Sequence, residues 1–196
     1  MAITERVEKI RQNYVNTKPH ISYERAWSWT KSFQRTEGQA HIIRTAQAFK
    51  DTCMETCGYF DFESVRESLE RMDLIFMDLK LMDDARHRQY TGISNEKTLT
   101  NIARLNEVPA SVVIRIPTIG GVNADEDNIR RSAAFVHETL PKARMELLPY
   151  HKFGTIKYEA LGMPYHHPDF YRPSAEEMEH LCEIVRREGV EIMDFR

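Results

Sequence analysis

Leu74, Ile75, Phe76 and Met77 form an apolar run that is too short for a helical pattern. Such a run reads as a strand buried on both faces, as in a parallel sheet with helical layers. Asp78 and Lys80 follow at its carboxyl end. Side chains alternate along a strand, so these two project to one side. Met82-Asp83-Asp84 then opens a charged helical stretch, Asp84 to Tyr90. In parallel α/β folds, ligands sit where strands end and helices begin. An Asp-x-Lys pair there is either a simple ion pair or part of a site, and the rest of the chain weighs on that choice.

The same texture recurs from Asp51 onward. DTCMETCGYF reads as a short strand ending at Gly58, and FESVRESLERM as a helix capped by Asp61. Another helix runs from Asn95 to Asn106. Ser111 to Val122 is a β-branched strand leading into a Gly-Gly turn. Asp125 or Asp127 begins DEDNIRRSAAFVHETL, with early acids that suit the helix dipole. ARMELLPYH is a strand ending at His151, and a long Pro-, Gly- and aromatic-containing loop follows it. Ser174 with Glu177 makes a capping box for a helix that runs to about Glu188, stopped by Gly189, and VEIM forms a last strand. Strands alternating with helices predict a parallel sheet with right-handed crossovers. Four of these strands deliver polar groups toward one rim: Glu55 with Thr56, Asp78 with Lys80, Arg115, and His151.

Residues 1–50 have a different character. Ile3, Val7, Ile10 and Tyr14 recur at helical spacing, with Thr4 as cap. Pro19 interrupts this helix, and Ser22 caps a second one carrying Trp27, Trp29 and Phe33. A third runs from about His41 to Lys50. The expected organisation is thus a helical segment, 1–50, and an α/β segment, 51–196.

The 196 residues are 41% hydrophobic, enough for one domain with a core. A net charge of −3 gives no electrostatic reason to expect nucleic acid or an anionic membrane as partner. No apolar stretch approaches the roughly 20 residues that span a bilayer. The first residues have no apolar core of a secretory signal. Cys53, Cys57 and Cys182 do not make a disulfide framework, so a cytoplasmic, reducing compartment is expected. His166 and His167 are adjacent in a loop, with no Cys or Glu spaced to complete a metal site. Gly120-Gly121 lacks a P-loop lysine and reads as a sharp turn.

Three phrases carry a family resemblance: METCGY; DLIFMDLKLMDDARHRQYTGISNE; and VVIRIPTIGGVN followed by LLPYHKFGTIKYEALGMPY. Over about residues 51–190 they resemble the carboxyl-terminal half of glycyl radical enzyme activating enzymes, the pyruvate formate-lyase-activating type. That family belongs to the radical S-adenosylmethionine superfamily. The resemblance implies an α/β fold, a partial (β/α) barrel preceded here by an α-helical segment. It implies S-adenosylmethionine as cofactor and a glycyl radical enzyme as partner, on which the family generates a glycyl radical. Carried over by position, Asp78 and Lys80 would flank the methionine part of S-adenosylmethionine, with the Lys80 ammonium pairing its carboxylate. Glu55 and Thr56 match a site that holds a monovalent cation beside that carboxylate. Arg115 and His151 match polar groups of the same cavity. The resemblance assigns no residue a catalytic role and none a metal-ligand role.

The superfamily's C-x3-C-x2-C cluster motif and the GGEP strand are absent from this sequence. Cys53 and Cys57 have C-x3-C spacing, but Phe60 stands where the third cysteine is required, and phenylalanine cannot ligate iron. The family's [4Fe–4S] cluster is therefore expected to be absent, and the chain inactive alone. A docking or S-adenosylmethionine-binding module without turnover, or a nonfunctional fusion remnant, is the alternative. The first 50 residues, through their ERxxxxRxxY, ISxERA and TEG phrases, resemble the amino-terminal segment of a glycyl radical enzyme of the pyruvate formate-lyase or choline-lyase group. A half barrel has two edges, so a homodimer or an aggregation-prone monomer is expected unless the amino-terminal helices cover the gap.

Overall fold

A computed structural model describes residues 52–151 and 169–193. The helices expected within residues 1–50, and the His166-His167 pair, lie outside these. The elements run β1 (Cys53–Thr56), α1 (Phe62–Glu70), β2 (Leu74–Asp78), α2 (Asp84–Thr91), α3 (Glu96–Arg104), β3 (Ser111–Thr118), α4 (Glu126–Thr139), β4 (Arg144–Pro149), α5 (Ala175–Arg187) and β5 (Glu191–Ile192). A 3-10 turn, Leu105–Glu107, continues α3, so the stretch expected to be one helix to Asn106 changes pitch near its end.

All strand pairs are parallel and the sheet order is β1-β2-β3-β4-β5. Sequential order means that every crossover steps the same way. With right-handed crossovers, this puts the crossover helices on one face, as in a barrel; a doubly wound sheet reverses direction at its middle. The fold is thus the expected α/β arrangement, part of a (β/α) barrel.

Helix starts follow the local sequence. Asp61, Asp83 and Asp125 accept from the backbone N–H groups of Ser64, Arg86 and Asn128 at 2.9, 2.8 and 2.9 Å. Ser174 and Glu177 form the full capping box. Each cap satisfies donors that a helix leaves unpaired at its start.

The main core lies between the sheet and the helices. Ile75 and Met77 of β2, Ile114 and Ile116 of β3, and Met145 of β4 meet Leu69, Ile102, Ile129, Ala133 and Val185 of the helices, all fully or almost fully buried. Each large side chain buried there contributes roughly 1.5–3 kcal/mol. The opposite face of the sheet carries a smaller cluster, Leu74, Phe76, Val113 and Met193. Both faces of β2 are therefore buried, as its unbroken apolar run requires.

Candidate functional site

The second face of the sheet is organised in rows set by strand register. Asp78, Arg115 and Glu146 lie side by side on β2, β3 and β4. One step toward the strands' amino-terminal ends, Glu55, Phe76, Val113, Arg144 and Glu191 form a row across all five strands. Arg115 joins the two rows. Its Nε and Nη2 donate to Asp78 Oδ1 at 3.3 and 3.2 Å, and its Nη1 reaches Glu55 Oε1 at 3.0 Å. To do so the guanidinium crosses β2 over the Phe76 ring, 5.0 Å from its centroid. Burial works against the Arg115 charge. The Glu55 hydrogen bond, and attraction to Glu55 and Asp78, outweigh it and raise the guanidinium's pKa further.

Lys80 completes the group. It lies two residues past Asp78, and its Nζ is 3.9 Å from Asp78 Oδ2, on the same side as alternation predicts. The two oxygens of Asp78 are thus divided between Arg115 and Lys80. The Lys80 side chain is 37% exposed and its ammonium only loosely paired, which leaves donor capacity for a second acceptor.

The strand-end loops that set this geometry are tied by buried amides. Asn123 Nδ2 donates to the Lys80 and Pro117 carbonyls at 2.9 and 2.8 Å, while its Oδ1 accepts from Ile119 N–H at 2.7 Å. Asn128 Oδ1 accepts from Met82 N–H at 2.9 Å, and Asn95 donates to the Leu81 and Met82 carbonyls. Arg86 bonds the Val122 carbonyl and Asp125. The Gly120-Gly121 turn is sharp, as expected: Gly121 has φ +84°, and the Tyr171 ring lies so close over Gly120 that no Cβ fits.

The six residues singled out in the sequence do not all converge. Glu55, Asp78, Lys80 and Arg115 do. Arg115 sits within β3 rather than at its end, because β3 runs three residues beyond its pairing with Asp78. Thr56 alternates to the helix-facing side of β1, where its Oγ1 accepts from Gly58 N–H at 3.1 Å. His151 is exposed and lies two residues past β4; it is five residues beyond Glu146, and so not in the Arg115 row. Glu146 and Asn123 went unseen in the sequence, and Phe76 was read only as part of a buried run. The i, i+2 alternation of Phe76 with Asp78, Val113 with Arg115 and Arg144 with Glu146 is the signal that marks the second face.

An iron–sulfur cluster does not fit the cysteines described. Cys53 and Cys57 are four residues apart on and just after an extended strand, about 13 Å by strand rise. Cys182 is buried in the helix-side core. Cys53 is exposed, and crowding by neighbouring atoms, then the Glu55 carboxylate, raise its thiol's pKa, against a lowering by Arg115. Among the described residues no three His, Cys, Asp or Glu side chains group to hold a metal ion. No helix among them is long and apolar enough to cross a membrane.

The chain is similar to several known proteins. The trans-4-hydroxy-L-proline dehydratase activating enzyme of Clostridioides difficile is 36% identical over 130 residues, covering 65% of this chain and 43% of that protein. The choline trimethylamine-lyase activating enzyme of Oleidesulfovibrio alaskensis is 39% identical over 118 residues, 59% of this chain and 38% of that protein. The pyruvate formate-lyase 1-activating enzyme of Escherichia coli K12 is 33% identical over 145 residues, 72% of this chain and 58% of that protein. The chain therefore spans roughly two-fifths to three-fifths of these relatives' lengths. A crystal structure of a domain of pyruvate-formate lyase-activating enzyme from Bacteroides vulgatus superposes with a TM-score of 0.65 at 29% identity, covering 80% of this chain and 88% of that one. A radical SAM methyltransferase from Sphaerobacter thermophilus, at 18% identity and a TM-score of 0.52, shares the fold over 72% of this chain and 39% of that one. At the other end, the family model Pyruvate formate lyase-like matches residues 3–64, running through β1 into the first turn of α1. In sequence and in fold, the α/β part of the chain is similar to the carboxyl-terminal part of glycyl radical enzyme activating enzymes.

Proposed function

We propose that this chain is a partial glycyl radical enzyme activating protein that binds S-adenosylmethionine at the Asp78–Lys80 rim and does not turn it over alone. The observation that carries the reading is the Glu55–Arg115–Asp78–Lys80 group: a fixed, charge-compensated base that leaves one ammonium with spare donors. Such an ammonium suits a carboxylate, and S-adenosylmethionine presents one. Lys80 would hold that carboxylate, and Asp78 would orient Lys80. Thr56 and His151 belong to the proposed pocket only if the ligand reaches both sides of the β1 end and the tip of β4. S-adenosylmethionine supplies radical chemistry only beside a reducing cluster, and the described cysteines offer no place for one. The organisation proposed with this reading is a lyase-like helical segment, 1–50, joined to a partial barrel, 51–196.

Calorimetric titration with S-adenosylmethionine tests it. Saturable binding to the whole chain is expected, with no deoxyadenosine formed under reducing conditions. Deoxyadenosine production, or a stoichiometric iron and sulfide content after anaerobic reconstitution, would overturn the claim of inactivity. Absence of binding would overturn the site.

A second reading, a docking module without turnover, draws on a different observation. Tyr59, Tyr90, Ile93 and Tyr171, the exposed large apolar side chains among the described residues, all lie at the end of the sheet where the strands finish. Aromatic groups exposed together favour a protein partner. Its partner would be a glycyl radical enzyme, the kind of protein the relatives' names imply they activate. Co-sedimentation with such a lyase, retained when Lys80 is changed to Met, separates docking from cofactor binding.

A further inference from the structure

The amino-terminal ends of β4 and β5 border a second cleft. It lies where α4 turns into β4 and α5 turns into β5, and its volume is about 140 Å³. That is well below the roughly 300 Å³ at which pockets begin to hold drug-sized molecules. His137, Lys142, Arg144, Gly189 and Glu191 supply its polar wall. Arg144 Nε bonds the Glu191 carboxylate at 2.9 Å. The guanidinium and the carboxylate compensate each other, and Lys142 and His137 line the same cleft. Neither the Lys142 nor the His137 side chain has a hydrogen bond or ion pair among the described residues. The His137 ring rests against Gly189, whose φ of +81° and lack of a Cβ let it pack there.

Cations near the ends of α4 and α5 complement the negative ends of the helix dipoles. That effect accounts for basic residues on the surface. It does not account for two turns converging on a polar hollow with an excess of donors.

We propose that this cleft binds a small oxyanion of phosphate size, independently of the rim described above. Lys142 and Arg144 supply charge, and His137 supplies a directed donor. The bound ion ties the α4–β4 turn to the α5–β5 turn and so braces β5, a strand of two residues.

Titration of the whole chain with inorganic phosphate at constant ionic strength, followed by calorimetry and phosphorus NMR, tests the site. One saturable site is expected, with chloride unable to compete. Lys142→Gln weakens binding about tenfold or more. His137→Asn weakens it severalfold, while Lys97→Gln, at the other end of the sheet, leaves it unchanged. All three positions are exposed, so the fold survives each change. Phosphate raises the thermal midpoint of the wild type more than that of Lys142→Gln. Glycerol 3-phosphate, the same group on a larger body, binds more weakly; equal or tighter binding of the ester would overturn the free-ion assignment. Uptake that does not saturate, or equal affinity in wild type and Lys142→Gln, would overturn the site itself.

Discussion

Arg115 and Asp78 stand opposite each other in the β2–β3 register and are joined through two guanidinium nitrogens at 3.2 and 3.3 Å. Both side chains are largely withdrawn from water, with 14% and 22% of their surface exposed. Removing Arg115 leaves Asp78 only the Lys80 ammonium at 3.9 Å, and removing Asp78 leaves Arg115 only the exposed Glu55, so each charge stays partly desolvated with a weaker partner. Arg115→Met is expected to destabilise the chain by about 1–3 kcal/mol, and Asp78→Asn by a similar amount. In a double-mutant cycle measured by urea unfolding, the pair should couple by about 1 kcal/mol. Strict additivity would mean that the two groups do not support each other.

Lys80 calls for a different outcome. Its ammonium is partly exposed and 3.9 Å from Asp78, a separation at which surface ion pairs contribute little. Lys80→Met is expected to change the urea midpoint hardly at all. On the proposed function, the same substitution weakens S-adenosylmethionine binding by about tenfold or more, as loss of a charge-assisted contact does. A variant with unchanged calorimetric affinity would remove Lys80 from the site.

What could be read from the chain beforehand was local. The Ser174–Glu177 capping box spans one helical turn, and Asp78 and Lys80 are separated by one residue, so neither needs the tertiary fold to be recognised. The Arg115–Phe76–Glu55 arrangement depends on the registers of three strands, with Arg115 and Glu55 sixty positions apart. No periodicity in one strand reveals that. Thr56 and Glu55 look like a pair in the sequence, yet adjacent strand residues face opposite ways, and Thr56 turns instead to Gly58. His151 reads as the end of a strand, but pairing stops at Pro149, and Tyr150 N–H instead bonds the Thr118 carbonyl.

Asn123 is invisible to pattern reading for a related reason: its partners are carbonyls of Lys80 and Pro117 and the N–H of Ile119. Asn123 is 2% exposed and its partners are partly buried, so replacing its amide leaves groups with little access to water. Asn123→Ala is expected to cost about 2 kcal/mol and to loosen the loop carrying Lys80. Asn123→Asp keeps the acceptor for Ile119 but sets a carboxylate against two carbonyl oxygens. It should therefore be at least as destabilising as the alanine change. Faster amide exchange at Ile119 in both variants, with β1 unaffected, would place the damage where the hydrogen bonds are. A wild-type urea midpoint in Asn123→Ala would show that the loop holds without them.

The outer helices offer a test of electrostatics away from the site. Glu63 and Glu107 are shared between Arg66 and Arg104, whose guanidinium groups also lie 5.2 and 3.9 Å from the Phe62 ring centroid. Hydrogen bonds from Arg66 and then Arg104 hold the Glu63 carboxyl down to about 2, and those from Arg104 and then Arg66 do the same for Glu107. A carboxylate held below its usual value of 4.5 contributes stability that is complete above that pH and is lost as the pH falls toward 2. Both groups are open to solvent, so screening keeps the effect small. Thermal unfolding followed from neutral pH to about pH 2 should show a steeper acid decline in the wild type than in Glu63→Gln/Glu107→Gln. The variant is expected to be slightly less stable at neutral pH and to converge with the wild type once both carboxyls are protonated. Added salt should narrow the neutral-pH difference, and parallel acid profiles at low salt would mean that the four-residue network contributes nothing to holding α1 against the Leu105–Glu107 turn.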